Sequence, residues 1–209
     1  CQKLIDYVKA GKTGKIIEVH AGICHSSDMD LNKPINWKRM ININGEYGCM
    51  GDLGIHTQHI PFRLGWKPQD VFATLSNIAT ERFDHTGNKV PCETWDNATV
   101  VCTMEEGSGN TFPAFFEMKR MKPAETNEWY IRVDGLESSV RFSTNDPNAF
   151  YFTLSEGKEQ AWCRIDVGYS SAIPTVTGSI FEFGFTDAIL QMWGTFMQEI
   201  DGQTPKFGC

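Results

Sequence analysis

From residue 71 to residue 167 the chain repeats one pattern: a short run rich in Val, Phe, Tyr, Trp and Thr, then a turn that carries glycine. The runs cover residues 71–80, 98–105, 112–122, 129–133, 139–143, 149–154 and 161–167. Between them lie Glu106-Gly107-Ser108-Gly109-Asn110, Asp134-Gly135 and Glu156-Gly157. Such runs read as strands, and glycine-bearing links of this length read as hairpins. Strands joined this closely run antiparallel, because a parallel connection needs a crossover of about a dozen residues or more. Helical spacing frames this block. Residues 3–9 place Leu4, Ile5 and Val8 on one side, with Gly11 as the stop. Residues 15–24 read as a strand, residues 25–44 as a polar loop containing Pro34, and residues 51–66 as a helix that Pro61 should kink or divide. Residues 181–200 return to helical spacing, with Phe185, Ile189, Met192, Phe196 and Ile200 in one stripe, ended by Gly202 and Pro205. The expected fold is α+β: one domain over residues 1–209, built as a large, mostly antiparallel open sheet with helices packed on one face.

A chain of 209 residues, 41% hydrophobic and 22% charged, has the material for a sizeable core. Its net charge of −7 argues against a nucleic-acid partner, which selects a basic face. No apolar run approaches the roughly 18 residues of a membrane span, so no membrane partner is expected. The seven cysteines, Cys1, Cys24, Cys49, Cys92, Cys102, Cys163 and Cys209, include no Cys-x-x-Cys pair. An odd number, thinly spread, favours reduced thiols and a cytoplasmic protein. The start at Cys1, without an apolar signal core, reads as a fragment of a longer protein, from which an export signal could have been lost.

The chemistry concentrates in Met50-Gly51-Asp52-Leu53-Gly54-Ile55-His56-Thr57-Gln58-His59. On a helix, Asp52, His56 and His59 share a face, since neighbours lie three and four residues apart. Histidine moves protons near neutral pH, and a nearby carboxylate can orient it. Gly48, Gly51 and Gly54 allow close approach to the backbone. The bland alternative is a polar face on a half-buried helix. A metal site lacks an obvious third strong ligand, so none is expected. Upstream, Trp37-Lys38-Arg39 offers an aromatic face and two cations, suited to a hydroxyl-rich ligand or simply to a solvated loop with one anchor. His20, Asp28 and Asp30 read as solvated or structural. Gly107-Ser108-Gly109 sits in a hairpin with Phe112 at the third glycine position, so no dinucleotide fingerprint is present.

Lys9-Ala-Gly-Lys-Thr-Gly-Lys-Ile-Ile-Glu-Val19, a loop carrying Trp37, then Gly51-Asp-Leu-Gly-Ile-His56 and the late helix together resemble the C-terminal half of the glucose–fructose oxidoreductase and inositol dehydrogenase family. The resemblance covers nearly the whole chain and implies a dihydrodipicolinate-reductase-like C-terminal domain. It implies a preceding Rossmann domain with a Glu-Lys-Pro motif, absent from this chain, and NAD or NADP in the full-length protein. With no glycine fingerprint, this fragment alone should bind no cofactor tightly and be inactive. By the same analogy the chain is the substrate-binding domain of an oxidoreductase acting on a sugar, inositol or related polyol. His56 would be the base, Asp52 would hold substrate or orient the exchange, and Trp37, Lys38, Arg39 and His59 would line the substrate. His59 departs from the acidic residue many members carry there. One alternative is a non-catalytic binding or assembly domain of the same fold; a metal-assisted hydrolase using Asp52, His56 and His59 is another. Helices on one face would leave the other open, and Phe115, Trp129, Tyr130, Phe142, Tyr151 and Trp162 are the expected aromatic surface of a homo-oligomer.

Overall fold

The computed structural model describes residues 1–168, 171–174 and 184–207. It divides into two compact units, Cys1–Ile165 and Asp166–Cys209, each considered by itself. In the first, helix α1 (Gln2–Lys9) precedes strand β1 (Ile16–Cys24). A 3₁₀ turn (Trp37–Arg39), a short helix α2 (Ile41–Asn44) and the long helix α3 (Cys49–Arg63) follow. The strands are β2 (Lys67–Ser76), β3 (Glu81–Phe83), β4 (Lys89–Pro91), β5 (Asn97–Glu105), β6 (Thr111–Lys119), β7 (Glu128–Gly135), β8 (Val140–Ser143), β9 (Ala149–Glu156) and β10 (Glu159–Asp166). Seven of these join β1 in one eight-stranded sheet, in the order β10-β9-β8-β7-β1-β6-β5-β2. Strand β1 sits inside it, antiparallel to β7 and parallel to β6, with Val19 opposite both Val133 and Ala114. A parallel pair is possible here because the whole α2–α3–β5 stretch separates the two strands in sequence.

Period-two burial sorts the sheet into faces. Ala98, Val100, Cys102 and Met104 of β5, and Phe112, Ala114, Phe116 and Met118 of β6, are buried. They face α3, which buries Leu53, Thr57 and Ile60; the Thr57 hydroxyl lies 3.7 Å from the Met118 sulfur. The larger of these side chains, such as Ile60, Met104 and Phe116, contribute roughly 1.5–3 kcal/mol each through burial. Helix α1 covers the far end of the same face, with Leu4 and Ile5 buried and Tyr7 packed 5.5 Å from Phe150 and 5.6 Å from Phe152. The sheet and its one-sided cover match the expected fold class.

Several expectations change in detail. Residues 25–44 are not simply a loop, since they hold the 3₁₀ turn and α2. Pro61 does not divide its helix: it falls in the last turn, and α3 runs on to Arg63. Strand β2 spans Lys67–Ser76 rather than residues 71–80, and a small hairpin, β3–β4, follows it. Of the six aromatic residues assigned to the open face, Trp129 and Phe142 lie on the helix side. The Trp129 indole donates to the carbonyl of His56, and Phe142 is buried. In the second unit, helix α4 spans Phe185–Ile200 and Gly202, at φ +73°, follows it. Residues 181–183 and the Phe185 side chain lie outside the described residues.

Candidate functional site

Helix α3 begins where a glycine is required. Gly48 has φ +53°, and a Cβ there would lie 2.6 Å from the backbone nitrogen of Trp95. The bare backbone lets Cys49 donate its N–H to the Trp95 carbonyl, which fixes the start of the helix. Asp52 follows in the first turn, where a carboxylate also suits the helix dipole. Its side chain keeps 19% of its surface exposed. Arg120, just beyond the end of β6, donates from Nη2 to Asp52 Oδ2 at 2.7 Å. Lys38 Nζ lies 3.4 Å from the same oxygen.

The turn that carries Lys38 is held from several sides. The Lys38 N–H donates to Asn36, while its carbonyl accepts from Thr94 Oγ1 at 2.7 Å, from Asn44 Nδ2 at 3.0 Å and from Arg120 Nη1 at 3.4 Å. Lys38 Nζ also stands 5.7 Å from the ring centre of Trp37, which is 49% exposed. Partial burial works to raise the Asp52 pKa; the hydrogen bond and charge of Arg120, joined by Lys38, overcome it and hold the carboxyl below its usual range. His25 lies within electrostatic reach of Asp52, Lys38 and Arg120. Burial is the main force lowering its pKa; Asp28 opposes this, and the two cations add to it. Its Nδ1 meets the Ser27 hydroxyl at 2.8 Å.

His56 lies one turn beyond Asp52 on α3 and is exposed, with its backbone carbonyl held by Trp129. No hydrogen bond joins its ring to Asp52 among the described contacts. An ionised, oriented carboxylate beside an exposed imidazole can hold a hydroxyl group and accept its proton. His59 sits one turn further along, also exposed; burial, then the charges of Arg63 and His56, lowers its pKa. No group of three or more His, Cys, Asp and Glu side chains converges on a metal position among the described residues. Gly107-Ser108-Gly109 does form the β5–β6 hairpin, where Glu106 donates its N–H to the Asn110 carbonyl, so it presents no helix N-terminus to a phosphate.

Residues 1–141 match the family model for the GFO/IDH/MocA C-terminal domain. The chain belongs to the GFO/IDH/MocA family. No curated protein matches it. Among solved structures, it is similar to an oxidoreductase domain protein from Kribbella flavida (20% identity, TM-score 0.82, covering 99% of this chain and 56% of the other). It is also similar to a levoglucosan dehydrogenase in complex with NADH and L-sorbose (18%, 0.75, 97% and 54%). An inositol dehydrogenase homolog from Azotobacter vinelandii in complex with NAD+ is a third (17%, 0.72, 96% and 52%). At these identities the likeness establishes the fold. The chain spans about half the length of these proteins.

In this GFO/IDH/MocA domain the structure brings Trp37, Lys38, Asp52 and Arg120 together, with His25 alongside. Arg39 goes elsewhere. Its side chain is 0% exposed and pairs with Asp28 at 2.7 Å and with Asp96. It therefore anchors the turn from beneath and offers no surface to a ligand. Asp28, read as structural or solvated, is structural. Arg120 and His25 were not among the residues singled out from sequence. Arg120 follows a strand run as one of several cations, Lys119-Arg120-Met121-Lys122, and nothing local separates it from its neighbours. On the opposite, open face of the sheet lies a cavity of 670 Å³ lined by Glu18, His20, Tyr130, Arg132, Arg141 and Tyr151 among others, and by none of the predicted site residues.

Proposed function

We propose that this chain is the substrate-binding domain of an NAD(P)-dependent oxidoreductase acting on a sugar, inositol or related polyol, and that it supplies the catalytic base. One observation carries the reading: the α3 face presents an ionised Asp52, pinned through one oxygen, one turn from an exposed His56. Oxidising an alcohol removes a proton from oxygen and a hydride from the adjacent carbon. In the full-length protein NAD or NADP would supply the hydride acceptor, held by a preceding Rossmann domain, since no loop described here fits a pyrophosphate. His56 takes the hydroxyl proton. Asp52 accepts from that hydroxyl or its neighbour and fixes the orientation of the sugar. Trp37 offers an aromatic face and Lys38 a cationic donor at the rim. The fold relatives solved with L-sorbose and NADH, or with NAD+, favour a polyol substrate.

The open face supports a second role in assembly. Phe115, Tyr130, Tyr151 and Trp162 lie on it, with Arg141 stacked 4.9 Å from Tyr151 and 4.4 Å from Trp162. We assign this face to a homo-oligomer contact. The free, buried thiols Cys24, Cys49, Cys92 and Cys102 fit a reducing compartment, and we place the protein in the cytoplasm. The function is tested by steady-state kinetics of the full-length protein on a panel of sugars and polyols with NAD and NADP. Nicotinamide reduction with at least one polyol supports it. A full-length protein that binds the cofactor and oxidises no member of the panel overturns it.

A further inference from the structure

We propose that Arg120 is the positioning residue of this site: its guanidinium ties α3 to the Trp37–Arg39 turn and rotates Asp52 so that Oδ2 is held by protein and Oδ1 is left to a substrate hydroxyl. The inference rests on the functional reading above and deepens it.

Both cations that meet Asp52 use the same oxygen. Arg120 Nη2 reaches Oδ2 at 2.7 Å and Lys38 Nζ reaches it at 3.4 Å, and neither bonds Oδ1. The carboxylate therefore has one anchored oxygen and one acceptor still to fill, on a side chain that remains partly exposed. Arg120 itself has no freedom to move. Its side chain is 0% exposed, and its backbone is pinned where its own N–H donates to the Asp96 carbonyl at 3.2 Å. The next residue is pinned too, its N–H donating to Asn97 Oδ1 at 3.1 Å. The second arm, Nη1, lies 3.4 Å from the Lys38 carbonyl. One planar fork thus spans two elements, the Trp37–Arg39 turn and α3, which an ammonium at the same place could not do with fixed geometry.

Charge makes the arrangement obligatory. A buried guanidinium needs a counter-charge, and Asp52 is the carboxylate Arg120 pairs with among the described residues. Arg39, another cation, lies within electrostatic reach and cannot serve. The hydrogen bond and charge of Arg120 thereby favour the ionised form of Asp52. That carboxylate accepts hydrogen bonds and leaves proton transfer to its neighbour on the helix. The same fork joins Thr94 and Asn44 on the Lys38 carbonyl, and so helps to present Lys38 and Trp37 at the rim.

The test uses full-length protein labelled with carbon-13 at its aspartate carboxyls, with the Asp52 signal assigned by its loss in Asp52→Asn. Arg120→Gln should move the Asp52 titration midpoint upward, while Arg120→Lys should leave it low. In kinetics, Arg120→Gln should lower kcat/KM by about 10²-fold, the scale for a misplaced reacting group. Its acid limb should steepen at the raised Asp52 midpoint, where loss of the carboxylate adds to protonation of the base. Arg120→Lys should keep the acid limb and lose mainly in KM, because one ammonium cannot hold Asp52 Oδ2 and the Lys38 carbonyl together in fixed geometry. An unmoved Asp52 midpoint in folded Arg120→Gln overturns the proposal, as does a moved midpoint with wild-type kcat/KM. If Arg120→Gln does not fold, Arg120→Lys decides: a raised KM with an unmoved limb supports the role and a wild-type KM ends it. The titration needs no turnover, so a parent that oxidises no polyol would defeat the functional reading while the role of Arg120 is still measured.

Discussion

At the scale of single residues, Lys38 and Arg39 show how adjacent side chains of one type separate. Both belong to the same 3₁₀ turn, yet Lys38 reaches the partly exposed Asp52 and Arg39 is buried against Asp28 and Asp96. Removing one partner of a buried ion pair leaves an uncompensated charge and costs about 3–5 kcal/mol. Arg39→Ala should therefore lose stability on that scale in urea unfolding, while Lys38→Ala should lose about 1 kcal/mol or less and weaken substrate binding instead. Acid should find the same network. Asp28, Asp52 and Glu117 titrate below their usual range in the folded chain because, against the opposing effect of burial, their cationic and hydroxyl partners prevail. The stability they contribute is fully present above about pH 4–5, the ordinary range of an unfolded carboxyl, and is lost as pH falls through their depressed folded values. The pKa values of His25 and His59 are lowered, desolvation being the first cause for each. Below about pH 6.5 the unfolded chain takes up protons that these residues resist, so they subtract stability from there downward. Urea unfolding should give a free energy that declines between pH 7 and 5 and more steeply below 4. A flat profile over that range would contradict the electrostatic account.

At the scale of elements, Gly48 decides where α3 begins and hence where Asp52 stands. Gly48→Ala combines a φ of +53° with a contact to the Trp95 backbone. It should cost about 1–3 kcal/mol and raise KM in the full-length protein, since the displaced first turn carries the carboxylate. Thermal unfolding and steady-state kinetics measure the two effects. Legibility in the sequence followed the same physics. The long strands and the frame of α3 were readable because alternation and helical spacing are local signals, sustained over many residues. The 3₁₀ turn, α2 and the β3–β4 hairpin were not, because elements of three or four residues are held by contacts from elsewhere, such as Thr94 and Asn44 on the Lys38 carbonyl. Trp129 and Tyr130 were assigned to one face, although consecutive strand residues must point to opposite faces. The placement of Asp52 and His56 one turn apart on α3 was readable from their spacing. Arg120 was not, since its partner Asp52 lies 68 residues away and the packing of α3 against β6 brings them together.

At the scale of the whole molecule, we propose different roles for the two faces of the sheet. On the helix-covered face Asp52 gathers with Arg120, Lys38 and Trp37 while His56 stands one turn further along α3, and the uncovered face is the one we assign to assembly. The chain accounts for about half of its fold relatives' length, so its chemistry is to be measured in the full-length protein. The most direct test is the turnover of His56→Ala, shown to be folded and cofactor-bound, against wild type on the best polyol substrate. Loss of a positioned base should lower kcat by roughly 10²–10⁴-fold and leave the unfolding free energy within about 0.5 kcal/mol, as for an exposed side chain. Near-normal kcat in the folded variant would contradict the account.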